Sequence, residues 1–103
     1  MGYAAMNNIN FRNLKDTLNG HEYTILRQLL PNGKKEGNEY IALNPTRNDK
    51  HLGSFRINTR TWKWADFATN DRGGDIISLY AYIKGVNQLT AAQELLKTIG
   101  RVS

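Results

Sequence analysis

Cysteine is absent from the 103 residues, and histidine occurs only as His21 and His51. The chain therefore lacks the means to form a disulfide, a thiolate nucleophile, a Cys-based zinc site or an iron–sulfur cluster. Proline is confined to Pro31 and Pro45, and glycine to nine positions, too few for a disordered or fibrous chain. No apolar run approaches the roughly 20 residues of a membrane-crossing helix. The N-terminus also lacks the basic-then-apolar layout of a signal peptide, so the expected location is cytoplasmic, with no membrane partner. Gly2 is followed by Met6 where a myristoylation signal needs Ser or Thr, and Pro45 in the middle of Asn44-Pro45-Thr46 rules out a glycosylation sequon.

Carboxylates are scarce as well, nine against fourteen Lys and Arg, which leaves a net charge of +5 and a pI near 9.7. That balance favours an anionic partner. The excess is concentrated. Residues 41–65 carry Arg47, Lys50, Arg56, Arg60 and Lys63 against Asp49 alone, a net of +4, whereas residues 1–40 sum to +1 and residues 66–103 to zero.

What remains is a globular composition, 40% hydrophobic and 10% aromatic, in a length that holds one core. Phe11, Leu14 and Leu18 recur at helical spacing before Asn19-Gly20, and Tyr23, Leu26, Leu29 and Leu30 do so before Pro31, predicting two short helices. The polar stretch Asn32–Asn38 reads as turns. Tyr40–Leu43 reads as a strand, and Ser54–Asn58 with Thr61–Phe67 as a hairpin about Thr59-Arg60. Pairing Ile57 with Trp62 places Phe55 opposite Trp64 and gives these four residues one apolar face; Ser54, Arg56, Asn58, Thr61, Lys63 and Ala65 take the other. Asp75, after Gly73-Gly74, is a good N-cap for a helix through Ile76, Leu79, Tyr80 and Ile83 that stops at Gly85. A last helix carries Leu89, Ala92, Leu95, Leu96 and Ile99 and ends at Gly100.

Between Leu43 and Leu79 five short pieces stand in order: Asn44-Pro45-Thr46-Arg47, Asn48-Asp49-Lys50, Ser54-Phe55, Asp66-Phe67-Ala68-Thr69 and Gly74-Asp75-Ile76-Ile77. This framework resembles the zinc-ribbon domain of bacterial replicative DNA primases, found also in primase-helicases of phages and plasmids. That family reads Cys-Pro-x-His, Asn-Glu/Asp-Lys, Ser-Phe, Cys-Phe-x-Cys and Gly-Asp-x-Ile. The ligands do not follow the framework, because the four metal positions fall on Asn44, Arg47, Asp66 and Thr69. An Arg among them would repel a cation, so no zinc and no other cofactor is expected. In place of the metal the reading puts an Arg47–Asp66 ion pair, with Asn44 and Thr69 hydrogen bonding nearby and Trp62, Trp64, Phe55 and Phe67 packed as core. The resemblance runs from about Tyr40 to Gly100.

The expected fold is thus α+β: a small three-stranded antiparallel sheet, zinc-ribbon-like without zinc, flanked by N-terminal and C-terminal helix pairs. A single domain spans 1–103, with 1–38 a helical extension and 39–100 the ribbon-like core and C-terminal helices. The resemblance implies a non-catalytic DNA-replication accessory module of a mobile element, binding single-stranded DNA for a catalytic polymerase, primase or helicase subunit. Lys50, Arg56, Arg60 and Lys63 are the candidate phosphate contacts. Tyr40, of opposite parity to Ile41 and Leu43, is the candidate stacking ring. The alternative is a protein-interaction adaptor that docks on a replication enzyme without touching DNA, through Tyr80 and Tyr82 or the N-terminal helices. A third reading, Mg²⁺-dependent phosphoryl transfer by Asp66, Asp71 and Asp75, competes with simpler roles for these residues: an ion pair, a turn and a helix cap.

Overall fold

The computed structural model describes residue 16 and residues 20–102, the last five of these by backbone alone. The helix expected on Phe11, Leu14 and Leu18 lies outside the described residues. Helix α1 spans Glu22–Leu29, and five strands follow: β1 Lys34–Glu36, β2 Glu39–Ala42, β3 Phe55–Asn58, β4 Trp64–Asp66 and β5 Asp71–Gly73. Helices α2, Ile76–Lys84, and α3, Gln88–Val102, follow and complete the described elements. The strands form one antiparallel sheet in sequence order, β1-β2-β3-β4-β5.

The α+β class holds, but the three-stranded sheet flanked by helix pairs does not. Strands β1 and β5 arise from Asn32–Asn38 and Asn70–Gly73, segments that read as turns because neither carries the apolar alternation of a half-buried strand. Both are edge strands with almost no buried side chain, so only backbone pairing reveals them. The helices do not bracket the sheet. Ile25 and Leu26 of α1, Ile76, Ile77, Leu79 and Tyr80 of α2, and Ala91, Ala92 and Leu95 of α3 join one core cluster with Tyr40, Ala42, Phe55, Ile57, Trp62 and Trp64 on a single face of the sheet.

Local signals at α2 act as the sequence dictates. Asp75 Oδ1 accepts the Ser78 N–H at 2.7 Å, Ser78 Oγ returns the contact to the Asp75 N–H, and Gly85 closes the helix at φ 68°. Helix α3, however, continues through Gly100 to Val102.

The central hairpin keeps its faces but slips by two residues. Ile57 faces Trp64 and Phe55 faces Asp66, in place of Trp62 and Trp64. An even slip leaves every side chain on its original face. Its cause is a four-residue loop, used twice. In the first loop Asn58 Oδ1 accepts the Arg60 and Thr61 N–H groups, the Trp62 N–H reaches the Asn58 carbonyl, and Thr61 Oγ1 accepts the Lys63 N–H. Eight residues later Asp66 Oδ1 accepts the Ala68 N–H, the Asn70 N–H reaches the Asp66 carbonyl, and Thr69 Oγ1 accepts the Asp71 N–H. The fourth loop residue is left-handed in both, Trp62 at φ 66° and Asn70 at φ 67°. Asn tolerates that conformation, whereas a Trp held there is costly and persists because its ring is buried.

Candidate nucleic-acid interface

Three of the four positions assigned to metal ligands come together at the base of the sheet. Arg47 Nε lies 2.9 Å from Asp66 Oδ2 and its second nitrogen 3.3 Å from Asp66 Oδ1, while also donating to Ser54 Oγ at 2.8 Å. Asn44 Nδ2 donates to Asp66 Oδ2 at 2.7 Å and to Tyr82 Oη at 2.8 Å. With the Ala68 N–H at 2.9 Å on Oδ1, the buried carboxylate receives four hydrogen bonds. Burial alone would push its pKa up; the bonds from Arg47, Asn44 and Ala68 outweigh it and bring Asp66 down to about 2. The same bond to Asp66 raises the Arg47 pKa. Asp49 joins from the side, accepting the Asn44 N–H at 2.9 Å and lying 3.3 Å from the Arg47 guanidinium.

An amide, a guanidinium and a carboxylate already committed to one another offer no free lone-pair set to a cation. Thr69 is not part of this cluster. Its hydroxyl belongs to the hairpin loop, and the residue is exposed. Nor does Phe67 join the core, since it is 69% exposed.

The three aspartates are separated by their roles. Asp66 is spent on Arg47, Asp75 caps α2, and Asp71 accepts the Tyr82 hydroxyl at 2.7 Å. Among the described residues no three His, Asp or Glu side chains gather as a metal site. The proposed docking rings are also engaged within the fold. Tyr82 stacks on Trp64 with ring centroids 4.7 Å apart. Tyr80 is buried and donates to Glu94 at 2.8 Å, and burial together with that carboxylate pushes its pKa up to about 12.

Tyr40 is the clearest correction among the binding residues. It is fully buried, on the same face as Ile57, which it opposes in the register. Its hydroxyl donates to the Leu30 carbonyl at 2.5 Å, and its ring meets Tyr23 edge-on at 5.9 Å. Burial, then the neighbouring Tyr23, raises its pKa. Gly33 leaves space for the ring: a Cβ there would overlap it. The parity argument failed because β2 is buried on both faces, with Ile41 on the outer side, so its apolar pattern does not mark the core face.

Arg56, Lys63 and Arg72 lie on the outer face of the sheet. Register places Ile41, Arg56, Ala65 and Arg72 in one cross-strand row, with Lys34 at its end. The described helices contribute to the core on the opposite side. Arg56 donates to Glu39 at 2.8 Å and to the Gly53 carbonyl at 2.7 Å, and is only part-buried. Lys63 and Arg72 are exposed and have no carboxylate partner among the described residues. Arg56, Asn58, Lys63, Ala65 and Phe67, with Glu39, line a shallow hollow of about 220 Å³. A smaller one of about 90 Å³ is lined by Ala65, Asp66, Phe67, Asn70, Asp71 and Arg72. Arg60 is exposed at the tip of the β3–β4 loop, and Lys50 is exposed on the loop before β3, lining neither hollow.

Arg56 and Lys63 are therefore brought together, as expected from their parity. Phe67 and Arg72 were missed, although Phe67 shares its parity with Lys63 and Ala65. Comparison of the chain with protein-family models, curated proteins and solved structures finds no match. No helix among the described residues is long and apolar enough to cross a membrane.

Proposed function

We propose that this chain is a non-catalytic accessory module of DNA replication that binds single-stranded DNA along the outer face of its sheet and serves a polymerase, primase or helicase partner. The observation that carries this reading is the placement of Arg56 and Arg72 in one cross-strand row, with Lys63 beside Arg56, on the sheet face opposite the described helices. Arg56 shares its charge with Glu39, whereas Lys63 and Arg72 have no carboxylate partner among the described residues. The motif order resembling the primase zinc ribbon points to the same class of ligand, with packing and the Arg47–Asp66 pair in the structural role of the metal.

Contacts of this kind bind through phosphate neutralisation, so affinity falls with salt. Three contacts on a single strand give a log–log slope near −2, about a twenty-fold loss between roughly 50 and 200 mM salt. Fluorescence anisotropy of a labelled thymidine oligonucleotide at those two concentrations measures it. The Lys63→Glu/Arg72→Glu variant is expected to bind at least about ten-fold more weakly at the lower salt and to have a shallower slope. Equal affinity of this variant and the wild type overturns the proposal.

A further inference from the structure

The outer face bears one large apolar side chain whose exposure the fold does not require. Phe67 follows β4 directly, and its backbone is fixed, with the N–H donating to the Ser54 carbonyl at 2.8 Å. Its ring is nevertheless 69% exposed, the highest value among the large hydrophobic residues of the described chain. It stands between the two hollows and lines both, with Arg56, Lys63 and Glu39 on one side and Arg72 with Asp66 and Asp71 on the other; Glu39 is paired with Arg56, Asp66 with Arg47, and Asp71 accepts the Tyr82 hydroxyl. Ala65, the small residue shared by the two hollows, leaves the floor open on either side of the ring.

We propose that Phe67 is a base-stacking residue whose ring inserts between two successive bases of a single strand, while Lys63 and Arg72 take the flanking phosphates. This rests on the outer face being the nucleic-acid surface. An aromatic ring between cations matches the chemistry of an unpaired nucleotide, which offers a flat apolar face beside a negative charge. Bases in a duplex are already stacked and expose only edges and backbone. The ring therefore supplies what charge alone does not, a preference for single strands with little regard for base identity.

The test uses the full chain with three labelled probes: a thymidine oligonucleotide, an abasic strand of the same length and a strand with every second base removed. Phe67→Ala is expected to weaken thymidine binding roughly 10- to 100-fold, leaving abasic binding, the salt slope and the unfolding midpoint unchanged. Phe67→Trp is expected to retain wild-type affinity. The alternating strand should bind wild type with intermediate affinity, because only one face of the ring is then covered. Thymidine binding by Phe67→Ala at the wild-type level overturns the stacking role; if Lys63→Glu/Arg72→Glu still weakens binding, the cationic face survives on its own. Equal losses on thymidine and abasic strands overturn it too, and wild-type binding of the alternating strand overturns insertion between two bases. If neither the Phe67 nor the charge variant alters binding, the nucleic-acid reading itself fails.

Discussion

Arg47 and Asp66, 19 residues apart in sequence, meet through two nitrogens and two oxygens at the one fully buried carboxylate among the described residues. The pair joins the loop after β2 to the end of β4. Deleting Arg47 strips two hydrogen bonds from the buried carboxylate, and deleting Asp66 leaves Arg47 with Asp49 and Ser54 alone, whereas deleting both removes their mutual dependence. Asp66→Ala should cost about 3 kcal/mol or more in urea unfolding. The Arg47→Ala/Asp66→Ala double variant should lose clearly less than the two single losses together; strict additivity would show that the two groups do not depend on each other.

The same carboxylate makes stability sensitive to acid. Its folded pKa of about 2 lies below the ordinary value of 3.8, so its contribution is present above pH 4 and is lost as pH falls towards 2. The difference corresponds to about 2 kcal/mol. Unfolding midpoints measured from pH 5 down to pH 2 should therefore fall more steeply for wild type than for Asp66→Asn. Parallel curves would assign the acid sensitivity elsewhere.

Tyr40 anchors the end of α1 to the sheet through the Leu30 carbonyl. Tyr40→Phe removes one of the two donors to that carbonyl and leaves it the Gly33 N–H at 3.2 Å, at an expected cost of about 1 kcal/mol. Oligonucleotide affinity under folding conditions should not change. A loss of affinity with no loss of stability would return Tyr40 to the binding surface.

Thr61 and Thr69 hold equivalent places in the two hairpin loops, each hydroxyl accepting the N–H two residues on. Replacing either with Ala should cost about 0.5–1 kcal/mol, measured by thermal unfolding. The Thr69→Ala loss should add to that of Arg47→Ala, since Thr69 touches the polar cluster only through its backbone. Strong coupling between those two would place the threonine in the cluster after all.

How much of this could be read from the sequence depends on which physical signal each element carries. The α2 helix was legible to the residue at both ends because Asp75 and Gly85 act locally. The faces of the central hairpin were legible from alternation, but its register was not. Both loops begin with Asn or Asp and carry Thr three residues later, a pattern visible in Asn58-Thr59-Arg60-Thr61 and Asp66-Phe67-Ala68-Thr69, yet its meaning lies in hydrogen bonds rather than hydropathy. Edge strands β1 and β5 were invisible because their residues bury almost nothing. Tyr40 was misplaced by reading alternation on a strand covered on both sides, and Phe67 by assuming that an aromatic residue next to two tryptophans shares their core. The Arg47–Asp66 contact was found because opposite charges stood at positions that the resemblance had already brought together.

The outermost strands, Lys34-Lys35-Glu36 and Asp71-Arg72-Gly73, also decide how copies of this protein treat one another. An outer strand studded with ionic side chains is a poor template for a stranger's backbone, because docking there would strip water from several charges for a few hydrogen bonds. Growth into fibrils from either of these strands is thereby discouraged.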